Sequence, residues 1–247
     1  MPSRVLVIAG TDSSGGAGLV RDVQVVTDFG ARASCVVTAV TAQTHGQVAA
    51  ACVLAPDLVR QQLNTALQSN EIAAIKIGML GSAAIVRAVL EELPDRRRIP
   101  VVLDPVLSSS SGTALLDSDG LTLLRDQLLP RCTLVTPNLG EAATLLDVKV
   151  ASTEADQSNQ AEALLEFGPD YVLLKGGHGS GIDAIDVLAP RIGTPSLLRS
   201  TRLNATLRGT GCALSSAIAA LLAAGVGMEA ACRQAKAYVY RELSATL

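Results

Sequence analysis

Hydrophobic positions in this chain follow two alternating patterns. Short runs that are apolar at most positions occupy Val5–Ala9, Ala33–Ala42, Ala73–Met79, Pro100–Val106, Cys132–Thr136, Tyr171–Gly176 and Ile185–Ala189. Between them, apolar residues recur at three- and four-residue spacing in Ala17–Phe29, Pro56–Leu67, Ser82–Leu93, Asp117–Leu129, Glu141–Leu146 and Ala155–Phe167. Two more such stretches, Gly211–Ala224 and Glu229–Leu243, follow the last run. The first pattern predicts strands buried on both faces, and the second predicts helices with one apolar side. Their alternation predicts an α/β fold with a mostly parallel sheet covered on both faces. No linker, repeat or charge block divides the chain, so residues 1–247 read as one domain.

Composition excludes several roles. Hydrophobic residues make up 49%, charged residues 17% and aromatic residues 2%, with a formal net charge of -3. Without a basic stripe or stacking aromatics, the chain lacks what a nucleic-acid partner needs. Cys35, Cys52, Cys132, Cys212 and Cys232 are odd in number and contain no C-x-x-C pair, which argues for a reducing compartment and against a disulfide framework. The only histidines, His45 and His178, share no metal-ligand spacing, so zinc is not expected. Val5–Ala9 is too short for a signal peptide, and Ala213–Gly227 is too short and too interrupted by Ser215 and Ser216 to span a membrane. The expectation is a cytoplasmic protein without a membrane partner.

In open sheets of this kind ligands gather beyond the carboxyl ends of the strands. Polar and glycine-rich residues collect there: Gly10-Thr-Asp-Ser-Ser-Gly-Gly-Ala-Gly18 after the first run, Gln43 after the second, Asp104-Pro105-Val106 ending the fourth, Thr136-Pro-Asn-Leu-Gly-Glu141 after the fifth and Lys175-Gly-Gly-His178 ending the sixth. Gly15-Gly-Ala-Gly18 serves equally as a tight turn or as a source of free N–H groups for an anion. Asp104 ends a strand of Val and Leu, a position suited to a cation or phosphate. Asn138 and Glu141 share one helical turn, a spacing that fits either water-mediated Mg2+ contact or ordinary capping. Lys175, followed by two glycines, suits a phosphate oxygen or solvent. Thr210, Gly211 and Cys212 open a helix whose unpaired N–H groups and dipole favour developing negative charge. A cysteine there has four readings: redox centre, nucleophile, core residue or wall of an anion site. The last fits best, with an expected lowering of the thiol pKa.

Together these stretches resemble the hydroxymethylpyrimidine/phosphomethylpyrimidine kinases of thiamine biosynthesis, within the ribokinase-like superfamily. The resemblance rests on Ile8–Gly18, Thr38–Gln43, Lys76–Leu80, Asp104–Val106, Ser111–Gly112, Thr136–Glu141, Lys175–His178 and Gly209–Ile218, in the family's order and across nearly the whole chain. It implies a three-layer α/β/α fold without a separate lid domain, commonly a homodimer, that uses ATP and Mg2+ to phosphorylate the pyrimidine's hydroxymethyl group and then the monophosphate. Carried over residue by residue, it implies that Gln43 pairs with the pyrimidine near Gly10, Asp22, Met79 and Val106. Lys175 would contact nucleotide phosphates, Asp104, Asn138 and Glu141 would serve the Mg2+ and phosphate region, and Gly209, Thr210 and Gly211 would form an anion hole. Cys212 takes the place of the aspartate base found in most ribokinase-like enzymes. Four departures stand out: Leu207-Arg208 where the family usually has a histidine, Thr44-His45 after Gln43, Arg21 before Asp22, and no histidine-containing tail after Tyr238–Arg241. Competing readings are a pyridoxal or pyridoxine kinase, in which an aspartate more often replaces Cys212, and a non-catalytic pyrimidine-binding paralogue, which should have lost Lys175, Asp104 or the Gly-Thr-Gly run.

Overall fold

The computed structural model describes residues 2–44, 48–109, 112–177 and 181–247; His45, Ser111 and His178 lie outside them. The element order is β1 (Arg4–Asp12), α1 (Gly18–Asp28), β2 (Arg32–Gln43), β3 (Val48–Val53), α2 (Pro56–Ser69), β4 (Ala74–Ile77), α3 (Ala83–Glu92), β5 (Val101–Leu103), α4 (Ser118–Leu123), β6 (Leu134–Val135), α5 (Leu139–Leu146), α6 (Glu154–Leu165), β7 (Tyr171–Leu174), β8 (Asp183–Pro190), β9 (Ser196–Thr201), α7 (Thr210–Ala223) and α8 (Met228–Ser244).

One nine-stranded sheet runs β3-β2-β1-β4-β5-β6-β7-β8-β9. Its centre from β2 to β7 is parallel, and β3, β8 and β9 join antiparallel. Strand order reverses between β1 and β4, the kind of switch point beyond whose carboxyl ends ligands of such sheets gather. Along β1, Leu6 and Ile8 enter one apolar cluster while Val5, Val7 and Ala9 enter the other. This two-sided burial is why the strand reads as a continuous apolar run. Helices α2 to α6 cover one face, and α1, α7 and α8 cover the other. Every residue of α7 from Ala213 to Leu221 is buried, as expected of a helix that is apolar all round.

The expected strands and helices all exist, with shifted ends. Two strands escaped the pattern. β3 is nearly all exposed and alanine-rich, and β9 has one buried residue, Leu198; both are edges with no continuous apolar run. The expected Asp117–Leu129 helix is divided: Asp117 caps α4, a π turn follows at Leu124–Leu128, and a 3-10 turn holds Pro130. Among the described residues no helix is long and apolar enough to cross a membrane.

Candidate active site

The loop leaving β1 folds back onto its own strand. Gly18 has φ +60, and a side chain there would collide with the carbonyl of Gly10. A Cβ on Gly10 would in turn lie 3.0 Å from Met79 Sδ, so the end of β1 rests against the end of β4. Ser13 ties this loop to β2, its hydroxyl accepting from Gln43 N at 2.8 Å and donating to Gln43 O at 2.9 Å. The Gln43 side chain is half-buried, and its Oε1 accepts from Thr41 Oγ1 at 3.2 Å.

Below this loop lies a buried charged pair. Lys76 Nζ donates to Asp22 Oδ2 at 2.7 Å, and Ser216 Oγ donates to Asp22 Oδ1 at 2.8 Å, so both carboxylate oxygens of Asp22 are occupied. Burial raises the Asp22 carboxyl from its ordinary range, while Lys76 and Ser216 pull it down. Burial also works against the Lys76 ammonium, but Asp22, Cys212 and Asp104 outweigh it and raise its pKa. The contact is a salt bridge closed to solvent. No spacing in the sequence pairs Lys76 with Asp22, which is 54 residues away.

A second pair stands beside α7. Lys175 Nζ donates to Asp104 Oδ1 at 2.7 Å. Burial opposes the Lys175 charge, yet Asp104, Glu141 and Cys212 raise its pKa overall. A Cβ on Gly211 would lie 3.2 Å from Lys175 Nζ and 3.4 Å from Asp104 Oδ2, so the bare first turn of α7 lets both groups approach. Gly209 has φ +72, and a side chain there would strike the carbonyl of Gly16. No side chain caps α7, which leaves its first-turn N–H groups open to an anion. Thr210 and Gly211 sit on that turn.

Cys212 departs from expectation. Burial pushes its thiol up to about 11, although Lys76 and the N–H of Gly18 draw it down. The loss of hydration outweighs the helix end, and the thiol is neutral at physiological pH. Asn138 and Glu141 form a complete capping box on α5: Asn138 Oδ1 accepts from Glu141 N at 2.9 Å, and Glu141 Oε2 accepts from Asn138 N at 2.7 Å. Burial pushes Glu141 up to about 7, with Asp104 adding to the rise and Lys175 opposing it.

The structure thus brings Gly10, Asp22, Met79, Asp104, Lys175, Gly211 and Cys212 to one edge. Gln43 is tethered to the same loop, and Val106 follows through its N–H to Asp104 O at 2.8 Å. Two supporting features were not read from the sequence. Asp186 Oδ1 accepts from Gly176 N at 2.9 Å, and Lys236 Nζ donates to Asp186 Oδ2 at 2.7 Å. Arg202 gathers the carbonyls of Gly176, Gly177, Gly181 and Asp183. Each side chain lies far in sequence from the turn it holds, so spacing carries no sign of it.

The mostly parallel sheet with a bare helix mouth and a lysine–aspartate pair at its carboxyl edge, taken with the solved kinases that share its fold, marks a ribokinase-like phosphotransferase. The family model described as phosphomethylpyrimidine kinase matches residues 12–247. The hydroxymethylpyrimidine/phosphomethylpyrimidine kinase of Streptomyces coelicolor is 42% identical over 245 residues, covering 99% of this chain and 90% of that protein. The phosphomethylpyrimidine kinase of Clostridium difficile superposes with a TM-score of 0.85 at 32% identity, covering 97% of this chain and 99% of that one. The pyridoxal kinase of Staphylococcus aureus, in complex with AMP-PCP and pyridoxal, reaches a TM-score of 0.88 at 28% identity, over 98% of this chain and 88% of that one. The chain belongs to the phosphomethylpyrimidine kinase family.

Proposed function

We propose that residues 1–247 act as one kinase domain that transfers the γ-phosphoryl group of ATP to 4-amino-5-hydroxymethyl-2-methylpyrimidine and then to the resulting monophosphate, in thiamine biosynthesis. The observation that carries the reading is the meeting of Lys175, Asp104 and Gly211 at the open mouth of α7. In the first step the hydroxymethyl oxygen attacks the γ-phosphorus, the bond to the ADP oxygen breaks, and the hydroxyl proton passes to a transferred phosphoryl oxygen and from there to solvent. Such transfer depends chiefly on placement and charge stabilisation. The N–H groups of Thr210 and Gly211, with Gly209 shaping the turn, receive the phosphoryl oxygens, and Lys175 neutralises them. Cys212, a neutral thiol, serves as hydrogen-bond partner to the attacking hydroxyl. Gln43 presents a donor and an acceptor to the aminopyrimidine edge, with Gly10, Met79 and Val106 around it and the Asp22–Lys76 pair beneath.

The residues present fit Mg2+. Asp104 and Glu141 are hard oxygen donors, Asp104 close enough to help raise the Glu141 carboxyl, and Asp104 Oδ2 faces the bare Gly211. Among the described residues no group of three or more metal-binding side chains gathers, so the ion would keep water and phosphate ligands, with Asn138 shaping that turn. When bound, it shields charge between the nucleotide phosphates. The family resemblance further supports a cytoplasmic homodimer.

The likeness to a pyridoxal-bound kinase favours pyridoxal as the second acceptor to test. An ADP-release assay with hydroxymethylpyrimidine, its monophosphate and pyridoxal decides. Turnover of both pyrimidines above pyridoxal is expected, and preference for pyridoxal would replace the substrate assignment.

A further inference from the structure

Arg208 stands immediately before the mouth of α7. Its Nη1 donates to Thr44 O at 2.5 Å, just beyond Gln43, and its Nη2 lies 3.4 Å from Asp12 Oδ2. The side chain is only 14% exposed. Its Nε finds no hydrogen-bond partner among the described residues, and neither does Asp12 Oδ2. Asp12 Oδ1 is occupied by Ser14, through its N–H at 2.9 Å and its hydroxyl at 2.8 Å. A buried guanidinium with an idle donor is an energetic debit that a ligand oxygen would remove. Two contacts of one loop fix where that ligand lies. The 12–16 loop packs against Gly209 through Gly16, and it holds Gln43 through Ser13. Arg208 therefore bridges the proposed pyrimidine site and the proposed phosphoryl site.

We propose that Arg208 receives the phosphate of the monophosphate acceptor and so equips the site for the second transfer, an inference that rests on the kinase reading above. The fork of a guanidinium matches two phosphate oxygens, a geometry that a single ammonium does not offer. The two transfers make different demands. In the first, the nucleophile is a hydroxyl that must lose a proton. In the second, it is a phosphate oxygen already anionic near neutral pH. That oxygen forms the new bond to the γ-phosphorus, the bond to the ADP oxygen breaks, and no proton moves. What the second step lacks is positive charge on the acceptor side. Asp12 is the resting partner, which the incoming phosphate displaces from the guanidinium.

The test is steady-state kinetics of the full chain with ATP and Mg2+, comparing the alcohol and the monophosphate as acceptors in wild type and Arg208→Gln, with thermal melting to verify folding. The ratio of kcat/KM for monophosphate over alcohol should fall roughly 30-fold or more in the variant. A ratio within about three-fold of wild type, including an equal loss on both acceptors, overturns the assignment and leaves Arg208 a structural tie. If Arg208→Gln does not fold, Arg208→Lys carries the comparison. Its ammonium lacks the planar fork that meets two phosphate oxygens at once, so a fall of about ten-fold is expected and an unchanged ratio overturns the proposal. A wild type that phosphorylates the alcohol but not the monophosphate also overturns it while leaving the kinase reading intact. A wild type active on neither pyrimidine removes the kinase reading itself.

Discussion

Lys76 and Asp22 meet at 2.7 Å where neither side chain reaches solvent. Taking two charges out of water costs more than a surface pair returns, so such a contact holds the fold together only while both partners remain. Gly78 makes room for it, because a Cβ there would lie 2.8 Å from Lys76 Nζ. Lys76→Met strands a buried carboxylate and should cost about 3–5 kcal/mol of unfolding free energy. The double variant Lys76→Met/Asp22→Leu should recover most of that loss. Urea denaturation of the three proteins checks this, and additive losses in the double variant would show that the pair is not coupled.

Gly211→Val places a branched side chain against Lys175 Nζ and Asp104 Oδ2. The bare first turn then closes to an incoming phosphoryl group. A fall in kcat of roughly 10²–10³-fold is expected with the fold retained. Wild-type turnover by a folded variant would remove the helix mouth from the reaction.

Cys212 should behave as a neutral thiol. With its pKa pushed up to about 11, alkylation of the Cys212 peptide by iodoacetamide near neutral pH should run roughly 10²-fold slower than for an ordinary thiol. The rate should still be climbing above pH 9. Mass spectrometry must follow the peptide itself, since Cys35 and Cys52 are exposed. Cys212→Ser should lower kcat less than Cys212→Ala, both with an unchanged KM for ATP, because a hydroxyl replaces the hydrogen bond. Fast alkylation at pH 7 contradicts the burial effect, and full activity of both variants returns Cys212 to packing.

Gln43→Leu keeps the size of the side chain and removes its amide. A site built to satisfy that amide rejects a mismatch strongly, so turnover of hydroxymethylpyrimidine should fall below detection while ATP binding persists. Calorimetry with an ATP analogue separates the two effects. Retained wild-type kcat/KM would place the reading of the ring elsewhere.

Glu141 sets a pH dependence of stability. Its carboxyl is pushed up to about 7 by burial, above its unfolded value, so the folded chain binds the extra proton. The stabilisation is complete below the unfolded pKa near 4.3 and is lost as pH rises through 7, by up to about 3 kcal/mol. Glu141→Gln keeps a capping oxygen and should flatten this part of the curve. Guanidinium unfolding at pH 5 and pH 8 measures it, and parallel curves for the two proteins would contradict the shift.

The central strands were legible because both faces are buried, which leaves a nearly continuous apolar run. Edge strands β3 and β9 carry no such signature, since one side of each meets solvent. The glycines after β1 and before α7 pointed to the edge of the sheet where Lys175, Asp104 and Gly211 meet, because only close backbone approach requires them there. Charge pairing was not legible. Asp22 was expected near the pyrimidine, and nothing nearby in sequence marks Lys76 as its partner. The Cys212 thiol was misjudged because the helix dipole can be inferred from sequence, whereas desolvation depends on what folds over it. For Asn138 and Glu141 the spacing allowed a cap or a cation, and the structure fills the cap without excluding oxygens for the other.

The bond from Lys236 through Asp186 to the Gly176 amide has a consequence for how the protein is made. A chain emerging from the ribosome completes β7 and its Lys175-bearing turn well before α8 exists. Until Lys236 docks, Asp186 is a buried carboxylate without its cation, and the turn it should hold has lost half of its support. Lys236 lies on α8, the last helix of the chain, so the support of the Lys175-bearing turn is completed only when that helix has been made and docked.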